Sequence, residues 1–173
     1  MPLSEKQIKK FLAIQSHERF ANLFISESKT KTVIFSKKEM YIYNTEFNYY
    51  EPVDLDGRFK SLVSKVLHAT IEPWEHHFAQ KLADVVSNKE LDKEEKNEIK
   101  DQLKIIQKQL TIAIKSIETT TFIKNIVDQI ASQLIMTVEE QEKLNTCENC
   151  LNFRNGKLDL KTMSLVQEPK MTL

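Results

Sequence analysis

The apolar residues from Ile99 onward constrain this chain more than any other feature. Ile99, Leu103, Ile106, Leu110, Ala113 and Ile117 follow one another in steps of 4, 3, 4, 3 and 4. That alternation averages 3.5 residues, so it keeps all six on one helix face and makes them the seam of a packed helix pair. Residues 116–121 interrupt the pattern, and Ile123, Val127, Ile130 and Leu134 begin a second seam in steps of 4, 3 and 4. Two seams joined by a polar, β-branched turn predict an antiparallel helical hairpin. The competing reading is a coiled coil that binds a partner helix or a second copy. Each seam spans only two to three heptads, which favours the hairpin.

The rest of the chain is read around that hairpin. Ser4 to about Ser26 predicts one helix capped by Ser4, with Ile8, Phe11, Leu12, Phe20, Leu23 and Phe24 near one face. Residues 32–53 carry the β-branched and aromatic runs TVIF, MYIYN and NYYEPV, which predict two or three short strands with turns at 37–38 and 45–48. Helical spacing resumes from Arg58 to Ser87, where Pro73 should break or kink the helix. Asp92 caps the long helix that follows, with Glu94 and Glu95 in its first turn. In the tail, Leu151 and Phe153 precede Asn155–Gly156, and Leu158 and Leu160 follow, the pattern of a hairpin with a type I′ turn. The fold class is therefore mainly α (α+β): a helical bundle with a long antiparallel helical hairpin, a small antiparallel sheet near residues 32–53 and a C-terminal β-hairpin over 151–160. A single domain is expected, organised as an N-terminal helix (1–30), a small β element (31–56), a helical bundle (57–136) and a closing loop and hairpin (137–173). Because an isolated two-stranded hairpin is marginal in water, the terminal strands should lie near the earlier sheet.

Composition narrows the function. Gly57 and Gly156 are the two glycines of the 173 residues, where average usage gives about twelve. Phosphate-cradling loops and dinucleotide turns need several glycines close together, so neither a Walker loop nor a Rossmann turn is present. The 25 basic and 25 acidic residues cancel, leaving no whole-protein field toward nucleic acid or membrane. Two cysteines point to a reducing compartment, and no run reaches the ~20 apolar residues of a membrane span. The chain reads as soluble and intracellular, with no membrane partner. Cys147 and Cys150 form a lone C-x-x-C, whereas a structural zinc site needs four ligands. His76 and His77 are adjacent and diverge by about 100° on a helix, so they do not chelate one ion. His17 and His68 stand alone. Neither a catalytic set, nor a metal site, nor a cofactor is expected.

Lysines recur at 96, 100, 104 and 108, a slowly drifting stripe opposite the apolar seam. The plainest account is a solvated face with i,i+4 partners; the sharper one is a strip that contacts phosphates without reading sequence. Tyr41, Tyr43, Tyr49 and Tyr50, near Lys37 and Lys38, suit either half-buried sheet packing or stacking of single-stranded bases. The expected DNA contacts are Lys100, Lys104 and Lys108, with Arg154 and Lys157 beside the hairpin turn. Three arginines leave little capacity for bidentate base readout, so such binding would be sequence-independent.

The stretch LNFRNGKLDLKTMSL, residues 151–165, is the most specific. Leu151, Asn152, Asn155, Gly156, Leu158, Asp159, Leu160 and Thr162 match the LN-x-x-NG-x-LDL-x-T signature that closes the helical domain of primase–helicases from phages, plasmids and large DNA viruses, poxviruses among them. Residues 40–54 and 119–134 resemble two further segments of that family, with tyrosines here replacing its usual tryptophans. Met163 stands where the family often has glycine, which suggests a different turn after the strand. The resemblance implies a non-catalytic domain between a primase module and a superfamily 3 helicase. It also implies a role in DNA replication, single-stranded or forked DNA and the adjoining modules as partners, and a parent protein that forms a homo-oligomeric ring. The ATP-binding motifs of the parent and its primase residues are not in this sequence. Leu173 falls about where the helicase would begin, so the chain reads as an excised or truncated domain, with a stand-alone relative as the alternative, at work in the host cytoplasm or at a viral replication site.

Overall fold

The computed structural model describes residues 3–28, 32–36, 39–44, 49–89, 91–135, 137, 150–153 and 156–166. It is mainly helical, with two small antiparallel sheets, as the sequence predicts. The chain divides into two compact units, each built from two separated stretches. The first comprises residues 1–28 and 60–130, the second 29–59 and 131–173.

The first unit holds α1 (Glu5–Ala13), α2 (His17–Glu27), α3 (Lys60–Ser87), α4 (Lys93–Ile117) and most of α5 (Thr120–Leu134). The single helix expected over 4–26 is two. Ser4 and Gln7 form a reciprocal capping box that starts α1, whose C-cap Ile14 is extended. Ser16 then caps α2 by accepting from the Arg19 N–H. Arg19 in turn donates through Nη1 to the Lys10 carbonyl at 2.6 Å, tying the end of α1 to the start of α2. Two nearby serines, each able to cap, were the unread signal for the break. Pro73 sits inside α3 without ending it.

Most of both apolar seams is buried, with Ile99, Ile106 and Leu134 half-buried. Leu103, Leu110, Ala113 and Ile117 of α4 face the interior, as do Ile123, Val127 and Ile130 of α5. The long hairpin, however, joins α3 to α4 through residues 88–92, and the partner of the α4 seam is the preceding helix. Val63, Leu67, Ile71 and Phe78 of α3 supply the opposing face. Helix α1 also lies along α4, where the Gln15 side-chain amide donates to the Gln109 carbonyl at 2.8 Å. Helix α5 meets α2 instead: the Phe122 and Phe20 rings pack edge to face at 5.1 Å, and His17 stacks obliquely on Phe122 at 4.6 Å. With its seam consumed inside this chain, α4 does not offer those residues to a partner helix.

The second unit contains two three-stranded antiparallel sheets. The first is β1 (Thr32–Ser36), β2 (Glu39–Asn44) and β3 (Tyr49–Val53) in that order. The expected turns at 37–38 and 45–48 lie outside the described residues, as does Cys147. Met40 pairs directly with Val53, and both are buried. Pro52 is tolerated because β3 is an edge strand, where a missing amide breaks no ladder. A single π-helical turn over Leu55–Phe59 follows, in which the Phe59 N–H donates to the Asp54 carbonyl at 3.2 Å. The second sheet is β4 (Cys150–Phe153), β5 (Gly156–Asp159) and β6 (Ser164–Val166). It shares a compact unit with the first sheet, but the two form separate ladders. Gly156 pairs with Phe153 and so belongs to the strand; Arg154 and Asn155, the two residues between, lie outside the described residues. Strand β6 went unread in the sequence because it is only three residues long.

Candidate nucleic-acid interface

Helix α4 is electrostatically two-sided along its length. Its first half carries Asp92, Glu94, Glu95, Glu98 and Asp101, while from Lys104 to Lys115 there is no carboxylate. The Asp92 Oδ1 accepts from the amides of Glu94 and Glu95 at 2.8 and 2.9 Å, which satisfies two of the otherwise unpaired N–H groups at the start. Acid at the N-terminus and lysine toward the C-terminus suit the dipole, so the asymmetry also stabilises the helix. Of the expected contacts, Lys104 and Lys108 are exposed and Lys100 is half-buried. Lys104 lies 3.7 Å from Asp101, an exposed and weak pair. Among the described residues, Lys100 and Lys108 have no ion-pair partner. Lys157 belongs to β5 in the other unit, and Arg154 lies outside the described residues.

The signature residues divide by job. Leu151, Asn152 and Leu158 are strand positions, with Leu151 opposite Leu158 and Asn152 opposite Lys157. Asp159 builds the turn into β6. Its Oδ1 accepts from the Lys161 amide at 2.8 Å and the Thr162 amide at 3.3 Å, and these bonds hold its carboxyl below the ordinary 3.8. The Thr162 and Ser164 hydroxyls are 2.6 Å apart. Leu160 is exposed at the start of this turn. Met163 follows with φ 51°, the left-handed conformation that glycine takes without strain. Methionine thus occupies a backbone conformation that suits glycine.

A second polar cluster was not anticipated. Glu5 of α1 accepts from Lys81 at 2.5 Å, Lys9 at 2.7 Å and His77 at 3.3 Å. The Lys81 bond, followed by that from Lys9, holds the Glu5 carboxyl at about 2 against an ordinary 4.5. Beside it, a cleft of about 370 Å³ opens at Pro73 on α3, lined among others by Leu3, Glu27, Trp74 and His77. Trp74 contacts His77 edge to face at 5.1 Å. The Trp74–His77–Lys81 spacing of 3 and 4 was the available sequence signal, since it places all three on one helix face.

Among the described residues, no group of His, Cys, Asp and Glu is arranged to hold a metal ion, and no helix is long and apolar enough to cross a membrane. The family model described as D5 N terminal like matches residues 21–171. The chain belongs to that family, a non-catalytic domain found in the N-terminal region of D5-type primase–helicase proteins. No curated protein and no solved structure matches it.

Proposed function

We propose that this chain is a connector and DNA-handling domain of a replicative primase–helicase from a virus or mobile element, seated between the primase module and a superfamily 3 helicase. The family match over residues 21–171 carries the reading. The carboxylate-free half of α4 supports a contact with DNA, because Lys104 and Lys108 stand exposed there with no acid between them. Lysines in this arrangement neutralise phosphates and leave the bases unread, which suits a protein that must move along any sequence. A packed, glycine-poor helical unit also suits a connector that passes position or force from a nucleotide-driven motor to its neighbour. The parent protein works as a homo-oligomeric ring on single-stranded or forked DNA, in the host cytoplasm or at a viral replication site, and binds ATP through its helicase module.

Fluorescence anisotropy with labelled single-stranded and duplex oligonucleotides at low salt tests the DNA contact. Weak binding that is indifferent to sequence composition on the duplex and falls steeply with salt is expected. Absence of binding at low salt would refute the DNA-handling role. The modular context is tested separately by the coding sequence beyond codon 173, which should continue into a Walker-containing region.

A further inference from the structure

The cleft beside Pro73 belongs wholly to the first unit, and its lining holds one carboxylate, one histidine and neither lysine nor arginine. Its polar side chains are engaged with one exception. The Thr70 hydroxyl donates to the Val66 carbonyl at 2.8 Å, and His77 meets the Glu5 carboxylate at 3.3 Å. Lys9 and Lys81 stand outside the lining and are held on that same Glu5 carboxylate. The exception is Glu27, half-buried, whose carboxylate has no ion-pair or hydrogen-bond partner among the described residues. Its position sharpens the anomaly. Glu27 is the last residue of α2, whose final turn carries no basic residue, so the carboxylate sits at the negative end of the helix dipole. A half-buried anion in that place works against the stability of the free chain, and a ligand's positive charge would relieve it.

The rest of the lining decides which cation fits. Trp74 is half-buried there, and Leu3 and Pro73 add apolar surface. A tryptophan face attracts a cation more strongly than tyrosine or phenylalanine does. Guanidinium matches this pair of groups best, because it is planar, stacks on an aromatic face and offers a carboxylate two parallel N–H donors. The methylene stem of an arginine covers apolar surface in the same way. The volume, about 370 Å³, lies at the lower end of the roughly 300–1,000 Å³ typical of ligand sites and suits one long side chain. The surroundings oppose an anion. Glu72 and Glu75 flank Pro73 and Trp74, without ion-pair partners among the described residues, and α3 carries no lysine or arginine between Lys65 and Lys81. Both arginines among the described residues are engaged elsewhere, Arg19 with the Lys10 carbonyl and Arg58 with Glu51.

We propose that this cleft is a docking pocket for an arginine side chain of a partner protein, with the stem against Leu3 and Pro73, the guanidinium over Trp74 and its N–H groups donating to Glu27. The pocket differs in residues and in charge from the lysines of α4, and it stands whether or not those lysines touch DNA.

Trp74 is the only tryptophan in the sequence, so its emission reports the cleft directly. The experiment titrates the isotope-labelled full chain with N-acetyl-arginine amide, N-acetyl-lysine amide, N-acetyl-norleucine amide and deoxycytidine monophosphate at constant ionic strength. Trp74 emission and backbone amide shifts are followed together. For a ligand of this size the arginine compound should bind with a Kd of about 1 mM. The lysine compound should bind roughly three- to tenfold more weakly, the norleucine compound at least about tenfold more weakly, and the nucleotide more weakly still. Glu27→Gln should weaken the arginine compound about five- to tenfold and leave the norleucine compound unchanged. The same change should raise the Tm of the free chain by about 2–4 °C, whereas a glutamate with a merely structural role would lower it on removal. Trp74→Leu should weaken the arginine compound about fivefold, read from the amide shifts, with circular dichroism confirming the fold. Norleucine binding as tight as arginine would overturn the proposal by making the cleft an apolar hollow. Tighter binding of the nucleotide would overturn it in favour of a nucleic-acid site, and the absence of any saturable change with the arginine compound would overturn it outright.

Discussion

Replacing Leu110 by alanine should unfold the first unit at a markedly lower temperature. Leu110 is fully buried on the α4 seam, in the hairpin with α3, so its loss removes apolar contacts and leaves a cavity between two long helices. Leucine-to-alanine changes at such sites cost about 2–5 kcal/mol, and a site at the middle of a helix pair, where neither backbone collapses easily, should lie near 3 kcal/mol. For a unit of about a hundred residues, that corresponds to a fall in Tm of roughly 12–24 °C. Ile105 supplies the control on the same helix. It is 59 % exposed, so Ile105→Ala should cost less than about 0.5 kcal/mol. Urea and thermal titrations followed by far-UV circular dichroism give both values, and light scattering gives the mass of each variant. The reasoning fails if Leu110→Ala and Ile105→Ala are equally mild. It fails also if Leu103→Glu with Leu110→Glu converts a wild-type dimer into a folded monomer, because the seam would then be intermolecular.

Three smaller effects follow from single groups. Glu5 has a folded pKa lowered to about 2, so its contribution is complete above about pH 4.5 and is lost as pH falls toward 2; Glu5→Gln should flatten the stability profile in that window, by about 1 kcal/mol after solvent screening, as read from urea midpoints. Asp92→Ala removes the acceptor of two amides at the start of α4 and should cost about 1 kcal/mol in a thermal melt. Met163→Gly should protect the β5–β6 amides from hydrogen exchange by up to about 1 kcal/mol, since it relieves the left-handed strain and, at 72 % exposure, forfeits little packing.

The elements legible in the sequence were those whose period is enforced by burial. Leu103 and Leu110, and Ile123 and Val127, are buried because a 3.5-residue repeat gathers apolar residues on one helix face. Which helix covers the α4 seam was not legible. Periodicity fixes the face that is buried and says nothing about its partner, and α3 carries a less regular stripe at Val63, Leu67, Ile71 and Phe78. The break between α1 and α2 was legible in hindsight, because Phe11 and Phe20 fall about 180° out of helical phase and Ser16 recaps the chain. Pro73 does not break α3, because its local cost of about 3 kcal/mol is outweighed by burial of Val63, Leu67, Ile71 and Phe78 on both sides. For the candidate sites, the lysine stripe was visible as spacing. The cleft at Trp74 was not, because Leu3, Glu27 and Trp74 come from three distant points of the chain.

The central claim, that the lysines of α4 contact DNA phosphates, is tested most directly by the salt dependence of binding to single strands. The comparison is between the wild-type chain and the Lys100→Glu, Lys104→Glu, Lys108→Glu variant, each followed by anisotropy over a range of salt. Each lost phosphate contact lowers the log–log slope by about 0.7, so the triple reversal should flatten it by about two units. A slope unchanged by the reversal, in a variant whose circular dichroism and melt match the wild type, would contradict the claim.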